Sequence, residues 1–494
     1  GREKLAEYLI LEKPERRVMV TERVGWHGVS FVLRNDTIAP AGAEPVVLQT
    51  DRPDALPPLA EAGTLEQWKR EVAAFAVGNS RLAFSIAAAF AAPLLGPLRI
   101  EGGGFHFRGA SSLGKSTALH AAGSVWGGSD IRGWPRSWRA TDNALEAAAA
   151  AHCDLLLVLD EINEASPETV SACAYALANG AGKGRAARDG AGRRVAEWRV
   201  LFLSSGEHGL AHRLAEARGG PRRPLAGQEV RVLDIPADAG AGLGLFDDAR
   251  GEAPAAFSER IERAARGIYG TAGRAWLRWL VEHRDHATRT AREQIEAFRK
   301  RYLPAAASGQ VERALRRFAL VAAAGELAVA AGILPWPERE AIGSARTCFE
   351  AWLTAREGGA GSAEDAAAIA AVRRFIEAHG EGRFSPLLRA ADGGDAEPER
   401  ATINRAGWRR RGDDGTWTYW VLPEVWRTEV CAGLDPQHVA RVLARAGHLQ
   451  PGEGKNAAAR LWVPGIGPVH AFAVRPSILR GSGSEGSEGS EYCF

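Results

Sequence analysis

The stretch GASSLGKSTALHAAGSVWG, residues 109–127, contains the pattern G-x-x-x-x-G-K-[ST] and runs on into an alanine-rich helical segment. The preceding letters FHFR, residues 105–108, have the composition of a strand. A strand, a glycine-rich loop and a helix in this order form the context that the pattern requires. The loop glycines let backbone N–H groups point at phosphate oxygens, and the positive end of the helix adds to the attraction. The stretch therefore predicts a nucleotide-phosphate site on an α/β core.

The predicted cofactors are ATP and Mg²⁺. Lys115 has the reach to contact the β- and γ-phosphates, and the Ser116 hydroxyl is a suitable Mg²⁺ ligand. The loop and the first helical turn supply the predicted cofactor contacts: Gly109, Ala110, Ser111, Ser112, Leu113, Gly114, Lys115, Ser116 and Thr117. The competing interpretation is a glycine-rich turn that only caps a helix.

An acidic pair follows a second apolar run, CDLLLVLDEINEA, residues 153–165. Continuous apolar letters indicate a buried parallel strand, whose carboxyl end lies beside the phosphate loop. Asp160 is the predicted Mg²⁺ ligand together with Ser116, and Glu161 is predicted to polarise the attacking water. A solvated strand end is the alternative.

Two further polar sites come later in the chain. A third apolar run, RVLFLSS at 199–205, ends in Ser204 and Ser205, either of which could contact the γ-phosphate. Arg231 begins another strand. In ring-forming ATPases of the AAA+ class, an arginine at this place often reaches a neighbouring subunit's nucleotide and stabilises charge in the transition state, and likeness to them implies this role for Arg231. Arg222 and Arg223 are rival candidates, and a surface salt bridge is the alternative for each arginine.

A basic segment, ANGAGKGRAARDGAGRRVAEWRV at 178–200, precedes the third apolar run. Its glycines and Asp189 predict a β-hairpin with a cationic tip. Clustered cations suit binding to a phosphate backbone without sequence preference. The predicted DNA contacts are Lys183, Arg185, Arg188, Arg193 and Arg194. A flexible, solvated loop is the competing interpretation.

Composition narrows the class of protein. The chain has 494 residues and a formal net charge of +2, so a nucleic-acid surface must come from local clustering of basic residues. Its five cysteines form no C-x-x-C pair, which speaks against a disulfide framework or a zinc site. No secretory signal opens the chain and its apolar runs are short, so we expect a cytoplasmic protein without a membrane partner.

Changes in pattern along the chain predict five regions. A small α+β region covers 1–71, an α/β nucleotide-binding core 72–245, a helical lid 246–357, a winged-helix-like domain 358–480 and a disordered tail 481–494. The winged-helix prediction rests on the helix DPQHVARVLARAGHL at 435–449 next to hairpin patterns.

One C-terminal hairpin, GWRRRGDDGTWTYW at 407–420, interleaves three arginines with Trp408, Trp417, Tyr419 and Trp420. These aromatic rings either stack on nucleic acid or pack against the helix below. Arg441 and Arg445 share one face of the neighbouring helix and are candidate DNA contacts.

Eight segments, taken in order, resemble one family. They are GWHGVSFVL (25–33), GTLEQWKREVAAFAVGNSRL (63–82), GASSLGKSTALHAAGSVWG (109–127), SWRATDNALEAAAAAHCDLLLVLDEINEA (137–165), YALANGAGKGRA (175–186), LSSGE (203–207), AGQEVRVLDIP (226–236) and FALVAAAGELA (318–328). It is a domain-of-unknown-function family of ATPases, often labelled DNA primase/helicase, of prophages, integrative elements and cassette chromosomes. The resemblance implies an AAA+ P-loop NTPase core related to minichromosome-maintenance helicases, a winged-helix-like C-terminal region and hexameric rings on DNA. It supports the loop, Asp160 and Glu161, and leaves Arg313, Arg316 and Arg317 as candidates for a second sensor. No primase signature is present.

The sequence thus predicts an ATP-dependent DNA helicase or translocase that acts in replication of a mobile element, with Mg·ATP at subunit interfaces of a homo-oligomeric ring. Two alternatives stay open. The first is an ATP-switched DNA-binding or initiator protein without processive unwinding, and the second is a small-molecule phosphotransferase.

Overall fold

The computed structural model describes residues 2–12, 17–50, 56–57, 59–129, 133–182, 185–186, 192–193, 195–216, 231–356, 359–387, 402–452 and 456–479. At 185, 186, 192 and 193 it describes the backbone alone. The chain divides into two compact units, Gly1–Arg356 and Glu357–Phe494. The finer boundaries within these units stay predictions.

The first unit opens with short elements. They are helix α1 (Arg2–Leu11), strands β1 (Met19–Thr21), β2 (Gly25–His27), β3 (Ser30–Val32), β4 (Thr37–Ile38) and β5 (Val46–Leu48), and helix α2 (Leu65–Glu71). Helix α2 begins at a capping box, because the Thr64 and Gln67 side chains satisfy each other's backbone N–H groups.

A parallel sheet of five strands forms the centre of the unit. In chain order the strands are β6 (Gly103–Arg108), β7 (Arg136–Ser137), β8 (Leu156–Asp160), β11 (Leu201–Gly206) and β12 (Val232–Pro236). In space they lie in the order β12-β6-β11-β8-β7. Strand β11 therefore separates the strand before the loop from the strand that carries the acidic pair, and the carboxyl ends of all three meet at one edge.

Helices cover both faces of this sheet, which is why its strands are continuously apolar instead of alternating. Two helices precede the first strand of the sheet, α3 (Ser80–Ala91) and α4 (Leu95–Leu98). Those between the strands are α5 (Lys115–Ser124), α6 (Asp142–Ala151), α7 (Pro167–Asn179) and α8 (Leu210–Glu216). One segment, Ser80–Leu98, is long and apolar enough to cross a membrane, but 89% of the 18-residue window is buried inside the protein. It is a core helix, in contact with β8, β11 and α5.

Most of the rest of the first unit is helical. Its helices are α9 (Pro254–Gly267), α10 (Thr271–Glu282), α11 (Arg284–Tyr302), α12 (Gly309–Ala330) and α13 (Glu340–Ala355). The ring centroid of Phe318 in α12 lies 5.1 Å from that of Phe105 in β6 and 5.5 Å from that of Phe84 in α3. The α/β core and the helical segment therefore share one apolar core.

The predicted basic hairpin is present in the backbone. Strands β9 (Arg185–Ala186) and β10 (Gly192–Arg193) pair antiparallel. Lys183, Arg188 and Arg194 lie outside the described residues, as do Arg222 and Arg223. The DNA-binding role of this hairpin stays a prediction.

In its described residues, the second unit combines helices with a six-stranded sheet. Its elements are α14 (Ala363–His379), β13 (Phe384–Leu387), β14 (Gly407–Arg411), β15 (Trp417–Val421), α15 (Pro423–Val425), a π-helical turn Trp426–Val430, α16 (Pro436–Arg445), β16 (Leu449–Gln450), β17 (Ala459–Val463) and β18 (Gly467–Val474). Helix α16 begins as predicted, with Asp435 accepting a hydrogen bond from the Gln437 N–H and Pro436 in the first turn.

The aromatic residues of the β14–β15 hairpin pack inward. Trp408, Tyr419 and Trp420 are each less than a tenth exposed. The guanidinium carbon of Arg409 lies over the Trp417 ring, 4.6 Å from the ring centroid. The structure thus favours the packing interpretation of this hairpin over the stacking one, because buried rings cannot receive a base.

Candidate functional site

The loop between β6 and α5 has the backbone that the motif predicts. Gly114 has a φ of 91°, a left-handed value that favours glycine. It occupies the N-cap position of α5, and no side chain caps the helix there. The first N–H groups of α5 therefore have no side-chain acceptor at the cap position. Lys115 Nζ donates to the carbonyls of Gly109 at 2.8 Å and Ala110 at 2.6 Å, which holds the ammonium over the loop.

The acidic pair lies beside this loop. The Ser116 hydroxyl donates to Asp160 Oδ1 at 3.4 Å, and the Ser205 hydroxyl donates to the same oxygen. The Glu161 N–H in turn donates to Ser205 Oγ at 3.1 Å. The ends of two parallel strands, β8 and β11, and the start of α5 thus contribute polar groups to one cluster, which we call the loop cluster: Lys115, Ser116, Asp160, Glu161 and Ser205.

Glu161 adopts an uncommon backbone conformation, with φ 55° and ψ 81°. A residue with a side chain in this region costs about 1–3 kcal/mol and persists only where neighbouring contacts enforce it. Here the bond to Ser205 holds the Glu161 N–H, and Glu161 Oε1 accepts from the Asn163 N–H at 3.4 Å. The side chain is partly exposed, and no cation of the described chain forms an ion pair with Glu161 or Asp160.

Ser204 is not part of the loop cluster, because successive strand residues point to opposite faces. It receives a hydrogen bond from Trp138 Nε1 at 2.8 Å, and its hydroxyl is 3.0 Å from His106 Nδ1. Burial lowers the pKa of His106, so this pair is a neutral internal link. Of the two candidate serines, the structure brings only Ser205 to the acidic pair.

A contact from α9 was not predicted from the sequence. The Thr117 hydroxyl donates to Glu262 Oε1 at 2.7 Å and also bonds to Ser258. Burial lowers the pKa of His120, one turn further along α5, while Glu262 and Asp160 act in the opposite direction. The first turn of α5 is therefore tied to the helical segment by polar bonds, and no motif in the sequence of α9 signals this.

Arg231 lies at the other end of the sheet from the loop cluster. It precedes β12, whose Val232 is aligned with Gly104 at the start of β6. The length of β6 separates it from its own loop by about 17 Å. Its guanidinium lies 4.7 Å from the ring centroid of Tyr175 on α7. Arg231 therefore does not join the loop cluster of its own chain, and its action on a neighbour stays a prediction.

Arg317, one of the candidates for a second sensor, also lies at this far end. Its guanidinium donates to the carbonyls of Gly102 at 3.2 Å and Arg231 at 3.3 Å. Burial lowers the pKa of Arg317 to about 10. These bonds satisfy carbonyls at the start of β6 and β12, and they place Arg317 away from the loop.

Comparisons with known proteins agree with this architecture. Residues 1–197 match a family described as a domain of unknown function, DUF927. No curated protein matches the chain significantly.

The fold is similar to a solved structure described as "SCCmec type IV Cch - active helicase". The TM-score is 0.72 and the identity is 19%, with 97% of this chain and 84% of that chain covered. Likeness at this identity shows the fold, and the predicted α/β class is confirmed. The assignments of a P-loop core and of a winged helix remain predictions.

Proposed function

We propose that this protein is an ATP-dependent DNA helicase or translocase of the AAA+ class, built on a P-loop core, that works as a homo-oligomeric ring in the replication of a mobile element. The loop cluster carries the proposal. A glycine-rich loop, a lysine, a hydroxyl and two carboxylates converge from separate parts of the chain at one sheet edge, with Ser205 linking both acidic residues. The likeness to the SCCmec helicase structure supports it.

The residues present fit a magnesium nucleotide. The uncapped start of α5 and the glycine-rich loop offer N–H groups to phosphate oxygens. Ser116 and Asp160 supply the hydroxyl and carboxylate oxygens that Mg²⁺ prefers, and they lie within 3.4 Å of each other. When bound, the metal neutralises charge on the phosphates.

Each residue of the loop cluster then has a distinct task. Lys115 exchanges its bonds to the loop carbonyls for bonds to phosphate oxygens and orients the terminal phosphate. Glu161 accepts the proton of the attacking water through its carboxylate. Ser205 fixes the Glu161 backbone and one oxygen of Asp160, so that the acidic pair keeps its geometry through the reaction.

A ring explains the distance between Arg231 and its own loop. In a head-to-tail assembly, one face of each subunit meets a different face of the next, so the far edge of one sheet can meet the loop cluster of the neighbour. Arg231 would then supply a cation to the transition state from outside. The basic hairpin β9–β10 would hold the phosphate backbone of one DNA strand.

The first experiment measures steady-state ATP hydrolysis with and without single-stranded DNA. Lys115→Ala removes the phosphate contact and is expected to lower turnover by at least about 100-fold. A variant with Arg188, Arg193 and Arg194 changed to Ala keeps basal hydrolysis and loses the stimulation by DNA. Wild-type turnover no higher than that of Lys115→Ala overturns the proposal, and hydrolysis that ignores DNA favours the ATP-switched initiator.

A mixing experiment tests the shared site. Lys115→Ala and Arg231→Ala subunits are each inactive alone, but a mixed ring contains interfaces with an intact loop on one side and an intact arginine on the other. Random mixing restores about a quarter of wild-type hydrolysis. No recovery in rings shown to exchange subunits would exclude Arg231 as the residue that acts on the neighbour.

A further inference from the structure

The strongest unassigned surface lies in the second unit, on the hairpin of β17 and β18. All fifteen tryptophans of the chain fall within described residues; twelve are buried, Trp279 and Trp417 are half-buried, and Trp462 is exposed. Trp462 keeps 66% of its surface accessible, and Ile466 at the turn keeps 60%. An exposed tryptophan forgoes the favourable free energy of burying its large ring. This position is therefore a candidate contact for a binding partner.

The hairpin is a two-faced ribbon with a fixed orientation. Along β17 the residues Ala459, Leu461 and Val463 are buried, while Arg460 and Trp462 point outward. The buried face packs with Trp408 and Trp420 of the β14–β15 hairpin in one apolar cluster. The tryptophans that the sequence offered as stacking residues therefore serve as the support for another hairpin, and this support fixes which way Trp462 points.

The outward face combines an aromatic ring with a cation. Cross-strand pairing places Arg460 opposite His470 and Trp462 opposite Pro468. In the described part of the chain, no ion pair involves the Arg460 guanidinium, and no hydrogen bond or ring contact involves the Trp462 indole. The segment 456–474 contains no Asp or Glu. The positive charge of this segment is therefore complementary to an anionic partner, and the Trp462 ring suits a partner with flat faces.

The same face of β18 continues toward helix α16. Phe472 stacks on Trp426 with ring centroids 4.4 Å apart, and Trp426 Nε1 donates to the carbonyl of Pro436, where α16 begins. The outward face of the hairpin thus continues through Phe472 and Trp426 to the start of α16, the helix that carries Arg441.

From this arrangement we infer that Trp462, with Arg460, forms a second binding site for single-stranded nucleic acid, in which a base stacks on the indole and the adjoining phosphate meets the guanidinium. Every base has a flat face, so this site is tolerant of sequence. It needs an unpaired base, because the faces of paired bases are covered inside a duplex. The inference does not depend on ATP hydrolysis or on the β9–β10 hairpin.

The test measures binding of a fluorescein-labelled oligothymidylate of about 20 nucleotides to the full chain without ATP, by fluorescence anisotropy. Trp462→Ala is expected to weaken binding by about 5- to 150-fold, and Trp462→Phe to restore most of the affinity. Ile403→Ala is the matched control, because Ile403 is an apolar residue of the same unit that is 84% exposed. An oligouridylate and a blunt duplex, run in parallel, separate RNA and paired DNA from single-stranded DNA.

Salt dependence separates the two proposed contacts. Arg460→Ala should reduce the slope of log K against log salt by about 0.7, as expected for one lost phosphate contact on a single strand. Trp462→Ala should leave that slope unchanged, because stacking releases no counterions.

The outcomes are decisive in both directions. Equal affinity of Trp462→Ala and Ile403→Ala, or a wild-type chain that does not bind the oligonucleotide, overturns the site. If light scattering shows that Trp462→Ala changes the mass of the assembly while the affinity for the oligonucleotide is unchanged, the face is a contact between copies of the chain. Basal ATP hydrolysis by Trp462→Ala should equal that of the wild type, so failure of this site is distinct from failure of the proposed ATPase.

Discussion

At the amino end of the central sheet, Arg199 and Asp154 are joined by two hydrogen bonds of 2.7 Å, and the Trp26 N–H donates to the same carboxylate at 3.0 Å. At the carboxyl end, Asp160 and Glu161 are partly exposed and form no ion pair with a described cation. Both ends carry acidic residues next to apolar strands. They differ in whether the protein itself supplies the counter-charge, and this difference separates a structural ion pair from the proposed nucleotide site.

The largest effect is expected at the carboxyl end. Glu161→Gln keeps the size of the side chain and removes the proton acceptor, so turnover should fall by about 10² to 10⁴ while the affinity for ATP stays within a few-fold. Single-turnover hydrolysis and equilibrium binding of a fluorescent ATP analogue measure the two quantities. A parallel loss of binding and turnover would mean that Glu161 supports the loop and is not the base.

At the amino end, the same kind of substitution should affect stability. Asp154→Ala leaves Arg199 and the Trp26 N–H without their acceptor, and we expect a loss of about 3 kcal/mol in the free energy of unfolding. Glu66→Ala is the control, since it breaks an exposed pair with Lys69 that is worth under about 0.5 kcal/mol. Denaturant titration measures both. Similar losses in the two variants would remove the distinction between the sheet ends.

The same burial makes the amino end sensitive to pH. Burial lowers the pKa of His152 to about 3, so the folded chain leaves this imidazole neutral while the unfolded chain protonates it below its ordinary value near 6.5. Its contribution to stability is therefore lost as the pH falls, by about 2 kcal/mol between pH 7 and pH 5.

A His152→Leu variant isolates this contribution. Its free energy of unfolding should fall less steeply than that of the wild type between pH 7 and pH 5, and the two curves should run parallel above pH 7.5. Parallel curves over the whole range would show that His152 does not titrate on unfolding.

The sequence could predict those parts of the loop cluster that local sequence patterns specify. The G-x-x-x-x-G-K-[ST] spacing specifies a backbone turn and a helix start, and a continuous apolar run followed by two carboxylates specifies a buried strand and its end. The pairing of Asp154 with Arg199 joins residues far apart in the chain, which no local pattern encodes. The same limit applies to the tryptophans, because tertiary packing alone decides that Trp408 is buried and Trp462 is exposed.

The choice between Ser204 and Ser205 was beyond the sequence for a related reason. Both faces of β11 are covered, so both serines are buried and no alternation of polar and apolar letters reveals which one faces the loop. Only the position of the neighbouring strands and of Trp138 assigns them to different sides.

This assignment gives the smallest and sharpest of the expected effects. Ser205→Ala removes the hydroxyl that binds Asp160 and the acceptor of the Glu161 N–H, so turnover should fall about 10-fold, and Ser205→Thr should restore it. Ser204→Ala removes the partner of Trp138 and His106, so it should cost about 1 kcal/mol of stability with turnover unchanged. Both variants lose one hydroxyl oxygen, and they differ only in which of two adjacent positions loses it. If Ser204→Ala slowed hydrolysis and Ser205→Ala did not, the γ-phosphate contact would lie on the other face of β11, and Ser204 would replace Ser205 in the loop cluster.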